Sequence, residues 1–137
     1  METDKNWRFC VVGNIVKSHL DEEGIERYGT KAFTGGTKVY VGGKYMTADL
    51  DEMGVIGLNR FGKYVTENVP VRLIENYRCQ AIFKPTVIEI MDYLERLDGW
   101  PWWGRTAADK KEVMALAEAL NTKLSIEQKS GKQEEPT

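Results

Sequence analysis

The side chains that could carry out acid–base chemistry are carboxylates grouped in two short acidic segments. They are Asp21, Glu22, Glu23, Asp49, Asp51 and Glu52. Two loops can meet at one end of a sheet and form a catalytic pair, but a catalytic acid needs apolar surroundings that raise its pKa. The residues that flank these acids are not especially apolar, so the composition favours solvated loops.

Histidine and cysteine add no catalytic pattern. His19 is the single histidine, and it lies beside the first acidic segment. Cys10 and Cys79 lie in apolar, strand-like sequence with neither a CxxC spacing nor a histidine nearby, which indicates two buried thiols without a disulfide. We therefore predict no metal site, no cofactor and no nucleophile pair, and expect a protein that is not an enzyme.

A repeated Gly-Thr-Lys tripeptide, at 29–31 and again at 36–38, is the one feature that could hold an anion. It supplies two glycine turns, two hydroxyls and two cations. Ordinary turn and strand chemistry also accounts for both copies and is the favoured interpretation. The chain contains no GxxxxGK[ST] segment, so a standard phosphate loop is not indicated.

Cations alternate with aromatic residues in the middle of the chain, a mixture that can bind single-stranded nucleic acid. The cations are Lys31, Lys38, Lys44, Arg60 and Lys63, and the aromatics are Phe33, Tyr40, Tyr45, Phe61 and Tyr64. The 137 residues carry 19 Lys and Arg against 21 Asp and Glu, so the net charge is −2 and no strong basic field is expected. A nucleic-acid-binding or ribosome-associated module is therefore the alternative function.

Three tryptophans surround Pro101, namely Trp100, Trp102 and Trp103. Indole rings cover a large apolar area at low entropic cost, which suits both a core and a partner-binding surface. Both interpretations stay open.

The elements that position these residues are predicted to be strands first and helices afterwards. Residues 7–83 alternate between β-rich runs and glycine turns, which indicates five or six short strands, the first with a bulge at Gly13-Asn14. Apolar spacing predicts helices at about 85–98 and 106–124, and residues 127–137 read as a disordered tail. The chain is thus predicted to form one α+β domain over residues 1–126.

Two blocks of sequence resemble the strands of SH3-like barrels: FCVVGNIVK at 9–17 and GTKAFTGGTKVY at 29–40. Together with Val55–Leu58 and Tyr77–Pro85, they resemble small uncharacterised bacterial proteins from the neighbourhoods of polymorphic and contact-dependent toxins, where immunity proteins occur. The resemblance spans about residues 9–94. It implies a small bent antiparallel sheet or an SH3-like β-barrel followed by the two C-terminal helices, and it assigns no partner-binding residues.

The resemblance implies an immunity protein that binds and neutralises a cognate toxin in the bacterial cytoplasm. A nuclease would fit this role, because acidic loops complement a basic active site. We therefore expect partner contacts at the six acids and at the three tryptophans named above. The polar start of the sequence and its short apolar runs predict neither a secretory signal nor a membrane span, so we expect a cytoplasmic protein. The sequence does not indicate an oligomeric state.

Overall fold

The computed structural model describes residues 7–42, 52–98 and 102–134, with side chains up to Leu97 and from Trp102 to Leu124. It confirms a mixed α+β fold with strands first and two helices last. The strands are β1 (Arg8–Ile15), β2 (Ser18–Leu20), β3 (Glu26–Tyr28), β4 (Lys38–Val41), β5 (Glu52–Leu58), β6 (Tyr64–Pro70), β7 (Ile74–Ile82) and β8 (Trp103–Gly104). The helices are α1 (Pro85–Asp98) and α2 (Ala107–Glu134).

The main sheet is antiparallel, with the strand order β6-β5-β4-β1-β7, and β8 pairs with the start of β1. β2 and β3 form a separate hairpin. Within the described residues, β6 and β7 are the two edges and do not pair, since one turn of 3-10 helix (Val71–Leu73) separates them. The open antiparallel sheet is therefore the form found, and the closed barrel is not.

β1 lies inside the sheet and contains the predicted bulge. Its register against β7 shifts between Val12 and Asn14. On the β7 side, Asn76 takes a positive φ of 61°. A Cβ atom on Gly13 would lie 2.5 Å from the Cγ2 atom of Ile74, so the bulge has no room for a larger residue.

The sheet is covered on both faces. One cluster of buried residues joins the sheet to α2, and a second cluster joins the opposite face to α1. Val11, Val39, Val55, Val113, Ala117 and Leu120 belong to the α2 cluster. Cys10, Val12, Ile56, Val87, Ile88 and Met91 belong to the α1 cluster. Consecutive residues of β1 alternate between the clusters, as the period of a strand requires.

α1 has the predicted bounds, whereas α2 is longer than predicted. Thr106 and Asp109 form a capping box: the Asp109 N–H donates to Thr106 Oγ1 and Asp109 Oδ2 accepts from the Thr106 N–H, both at 3.0 Å. The helical backbone then continues to Glu134. Residues 127–134 are rich in glutamate, glutamine and lysine, which are good helix formers.

Neither helix has a stretch among its described residues that is long and apolar enough to cross a membrane.

Candidate functional site

The β2–β3 hairpin stands apart from the main sheet and has two different faces. Its three backbone pairs are Ser18 with Tyr28, His19 with Arg27, and Leu20 with Glu26. Because side chains alternate across a strand, Leu20 and Tyr28 share one face with Glu26, whereas His19 and Arg27 share the other. The side chains of the first face are exposed, and those of the second line a cleft against the sheet, which Tyr28 also borders.

Asp21 holds the tip of this hairpin in shape. Its Oδ1 atom accepts hydrogen bonds from the backbone N–H groups of Ile25 and Glu23, both at 2.9 Å. Its Oδ2 atom accepts from Nε of Arg27 at 3.0 Å. These bonds, that from Ile25 foremost, lower the pKa of the Asp21 carboxyl group. Asp21 therefore has a structural task within the hairpin.

Three large apolar side chains of the hairpin are exposed: Leu20 by 64%, Ile25 by 48% and Tyr28 by 70%. The Tyr28 hydroxyl donates to Glu26 Oε1 at 3.0 Å, and this bond raises the pKa of Tyr28. We call Leu20, Ile25 and Tyr28 the hairpin patch. Exposed apolar side chains concentrated on one short element are typical of a surface that binds another protein.

Three exposed acids lie within the hairpin that carries the hairpin patch. Glu22, Glu23 and Glu26 are exposed. Residues 18–28 contain four acids and a single arginine, and that arginine is paired with Asp21. The structure therefore combines the apolar hairpin patch with three exposed acids, Glu22, Glu23 and Glu26, which we call the acidic rim. Of these three, the sequence analysis named Glu22 and Glu23.

The second acidic segment is described only at its end. Asp49 and Asp51 lie outside the described residues. Glu52 begins β5, is exposed, and pairs with Pro70. Because Pro70 lines the cleft beneath the hairpin, Glu52 lies next to that cleft.

The cleft between the inner face of the hairpin and β6 has a volume of about 400 Å³. Nε2 of His19 donates to the Gly29 carbonyl at 2.9 Å. The Thr30 hydroxyl donates to Glu67 Oε1 at 2.7 Å. These polar atoms therefore fix the base of the hairpin, and His19 belongs to this joint.

Arg60 strengthens the same region. Its Nη1 and Nη2 atoms donate to the carbonyls of Lys31 and Thr30, at 2.7 and 3.1 Å. A guanidinium engaged in this way fixes the loop after β3. Arg60, one of the cations that suggested nucleic-acid binding, therefore has a structural role.

The aromatic residues that suggested nucleic-acid stacking are divided between core and surface. Phe33 is fully buried and Tyr40 is 7% exposed, so neither ring is free to stack on a base. Phe61 is 86% exposed. Lys44 and Tyr45 lie outside the described residues.

The Gly-Thr-Lys repeats have the structure of turns. Gly29 and Gly36 take positive φ angles of 68° and 89°, which favour glycine. The Thr30 hydroxyl is bonded to Glu67, and that of Thr37 is 3.1 Å from the hydroxyl of Thr34. The turn interpretation therefore accounts for both copies.

The tryptophan corner contributes to the core. Trp102 and Trp103 are 4% and 7% exposed, and they belong to the clusters on opposite faces of the sheet. Nε1 of Trp103 donates to Glu95 Oε1 at 3.4 Å. Buried rings cannot anchor a partner on an accessible surface, so for these two the core interpretation holds. Trp100 lies outside the described residues.

The two cysteines do not form a reactive pair. Cys10 lies opposite Gln80 and Cys79 opposite Val11, which directs the two thiols to opposite faces of the sheet. Burial raises the pKa of each thiol, so both are protonated at neutral pH rather than nucleophilic thiolates. The described residues contain no group of three or more His, Cys, Asp or Glu side chains that could hold a metal ion.

The hairpin patch was missed by sequence reasoning, although one signal was present. Leu20, Ile25 and Tyr28 are apolar residues inside a segment that otherwise reads as a solvated loop. Comparison with protein-family models, curated proteins and solved structures found no match to this chain.

Proposed function

We propose that this chain is a non-enzymatic binding protein of the immunity type, which neutralises a cognate bacterial toxin through the hairpin patch. The observation that carries the proposal is the exposure of Leu20, Ile25 and Tyr28 on a hairpin that is separate from the main sheet. These side chains are largely exposed and add little to the apolar core of the chain, whereas a partner bound to the hairpin would bury them.

The acidic rim defines the chemistry of the partner. Glu22, Glu23 and Glu26 leave the hairpin with a negative field, which accelerates association with a basic surface and rejects an acidic one. A nuclease has a basic substrate site, and an inhibitor that places carboxylates there occupies the positions of phosphates. We therefore propose a basic toxin domain with an apolar contact area, encountered in the cytoplasm.

The proposal assigns the contacts differently from the sequence prediction. The hairpin patch takes the place of Trp102 and Trp103 as the apolar anchor. Glu22 and Glu23 keep the proposed role in partner binding, while Asp21 positions the tip that presents them.

The test is an affinity capture from a lysate of the source cell, treated with nuclease, using the full chain as bait. We expect one stoichiometric basic protein that is retained by the wild-type chain and lost with the double variant Leu20→Ser, Tyr28→Ser. A matched control is Tyr93→Ser, which removes an aromatic side chain that is 54% exposed on α1. The control should retain the partner, and the captured protein should lose its toxicity when mixed with the wild-type chain.

Two outcomes contradict the proposal. One is retention of the partner by the hairpin variant at wild-type yield. The other is recovery of ribosomal or nucleic-acid-dependent material that disappears after nuclease treatment, which would support the alternative module, with Phe61 as its exposed stacking residue.

A further inference from the structure

Among the described residues, β7 is an edge strand whose outer edge pairs with no other strand. The N–H and C=O groups of Tyr77 both point away from β1, because the side chain of Asn121 binds them at 3.2 and 2.9 Å. Alternation along an antiparallel strand then directs the N–H and C=O groups of Cys79 and Ala81 to the same edge. No hydrogen bond joins these four groups to another described residue.

α2 runs alongside this edge and borders a groove of about 280 Å³. Lys110, Met114 and Glu118 line the groove from the helix, at a spacing of four residues that places them in one row. All three are exposed, Met114 by 44%. The groove therefore has backbone hydrogen-bonding groups of β7 on one side. On the other side, α2 presents a cation, an apolar side chain and an anion, in that order along the helix.

We infer that this edge pairs with the same edge of a second copy of the chain, forming a dimer with a twofold axis through Gln80. In that register Cys79 lies opposite Ala81 of the partner subunit, and the two Gln80 side chains face each other. The open groups of Cys79 and Ala81 would then form four strand hydrogen bonds, and the two sheets would become continuous.

The strand sequence is self-complementary in this register, as a twofold interface requires. Small side chains, from Cys79 and Ala81, meet on one face, while the two Gln80 amides can bond to each other on the other face. Arg78 lies opposite Ile82 of the partner subunit, so no like charges are opposed across the new pair.

The row on α2 is self-complementary about the same axis. α2 runs antiparallel to β7, since Asn121 binds Tyr77 while Lys110 lies over Phe9, the residue that pairs with Ala81. The axis at Gln80 therefore passes close to Met114. Twofold symmetry then places Met114 against its own copy and Lys110 against Glu118 of the partner subunit, an attractive pair formed twice. Two independent patterns, one on a strand and one on a helix, thus share one axis.

Asn121 sets the limit of the pairing. Its amide occupies the outer edge at Tyr77, so an added strand can cover only residues 78–82. The dimer contact is thereby restricted to a short segment, and β7 cannot extend into open-ended strand addition.

The first test is sedimentation of the full chain over a range of concentrations. We expect a monomer–dimer equilibrium, and we expect Lys110→Glu to raise the dimer dissociation constant by about tenfold or more, since it creates two like-charge contacts. The swapped variant Lys110→Glu, Glu118→Lys should restore dimerisation, because each pair is attractive again. Lys111→Glu makes the same charge change on the same helix outside the groove, and it should dimerise like the wild-type chain.

The second test fixes the register. In a Cys79→Ala background, Gln80→Cys places two thiols face to face across the axis, and mild oxidation should yield a covalent dimer. Arg78→Cys in the same background faces Ile82 of the partner subunit and should not crosslink.

A chain that is monomeric at every concentration, or a swapped variant that dimerises no better than Lys110→Glu, would overturn the inference. Circular dichroism of each variant separates loss of pairing from loss of folding. The inference does not depend on the proposed function.

Discussion

Asp21, Glu22 and Glu23 are consecutive acids with different roles. Asp21 accepts three hydrogen bonds within the hairpin, whereas Glu22 and Glu23 extend their carboxylates into solvent. The geometry of the tip explains the difference. Only the first acid of the turn is placed so that its carboxylate can accept from the N–H groups two and four residues later. The hairpin patch depends on this tip, since Ile25 is part of both.

Asp21→Ala should loosen the tip, while Glu22→Ala should not. The amide protons of Glu23 and Ile25, measured by NMR hydrogen exchange at neutral pH, should exchange faster in the first variant and at the wild-type rate in the second. Equal rates in both variants would contradict the assigned role.

The same bonds make the tip dependent on pH. Because folding lowers the pKa of Asp21, its stabilising effect is complete above the unfolded-state pKa and is lost as the pH falls through the folded-state pKa. The Ile25 amide shift should therefore titrate with a midpoint below the ordinary aspartate value.

Among the elements, the β5–β6 hairpin has a local signal in its sequence, whereas the β2–β3 hairpin has none. Asn59 opens the first turn, and its Oδ1 atom accepts from the N–H groups of Phe61 and Lys63 at 2.9 and 3.0 Å, a local signal that the sequence displays. β2 and β3 have three residues each and no alternation of apolar side chains. The turn between them is shaped by the hydrogen bonds of Asp21, which residue types alone do not reveal.

The start of α2 depends on its capping box. Thr106→Ala should lower the free energy of unfolding by about 1 kcal/mol, because the Asp109 N–H loses its acceptor at a helix end. Thr106→Ser keeps the hydroxyl and should stay close to the wild-type value. Urea unfolding monitored by circular dichroism measures both, and an equal loss in the two variants would show that the hydroxyl is not responsible.

The molecule as a whole is a sheet between two helices. The sequence predicted both helices from their apolar spacing but not their placement on opposite faces. Between the helices lies β8, which pairs with β1, and the neighbouring side chains of Trp102 and Trp103 belong to different clusters. A two-residue strand has too little pattern to be predicted.

Substitutions on the two faces should therefore act independently. Leu120→Ala and Met91→Ala each remove a fully buried side chain, and each should lower the free energy of unfolding by about 2–5 kcal/mol. Their effects should add within about 0.5 kcal/mol, since the sheet separates the sites. Leu97→Ala, at a site 62% exposed, should change the value by less than about 0.5 kcal/mol. Strong non-additivity in urea unfolding at one protein concentration would contradict the two-cluster core.

The position of β1 has a consequence for synthesis. This strand leaves the ribosome before every strand it pairs with: β4 supplies Val41 first, β7 supplies Cys79 later, and β8 supplies Gly104 near the end. At roughly 5–20 residues per second, several seconds pass between the first of these partners and the last. During that interval Cys10, Val11 and Val12, which are fully buried in the finished fold, lack part of their cover. We therefore expect these apolar side chains to stay accessible to aggregation until β7, β8 and α2 have emerged.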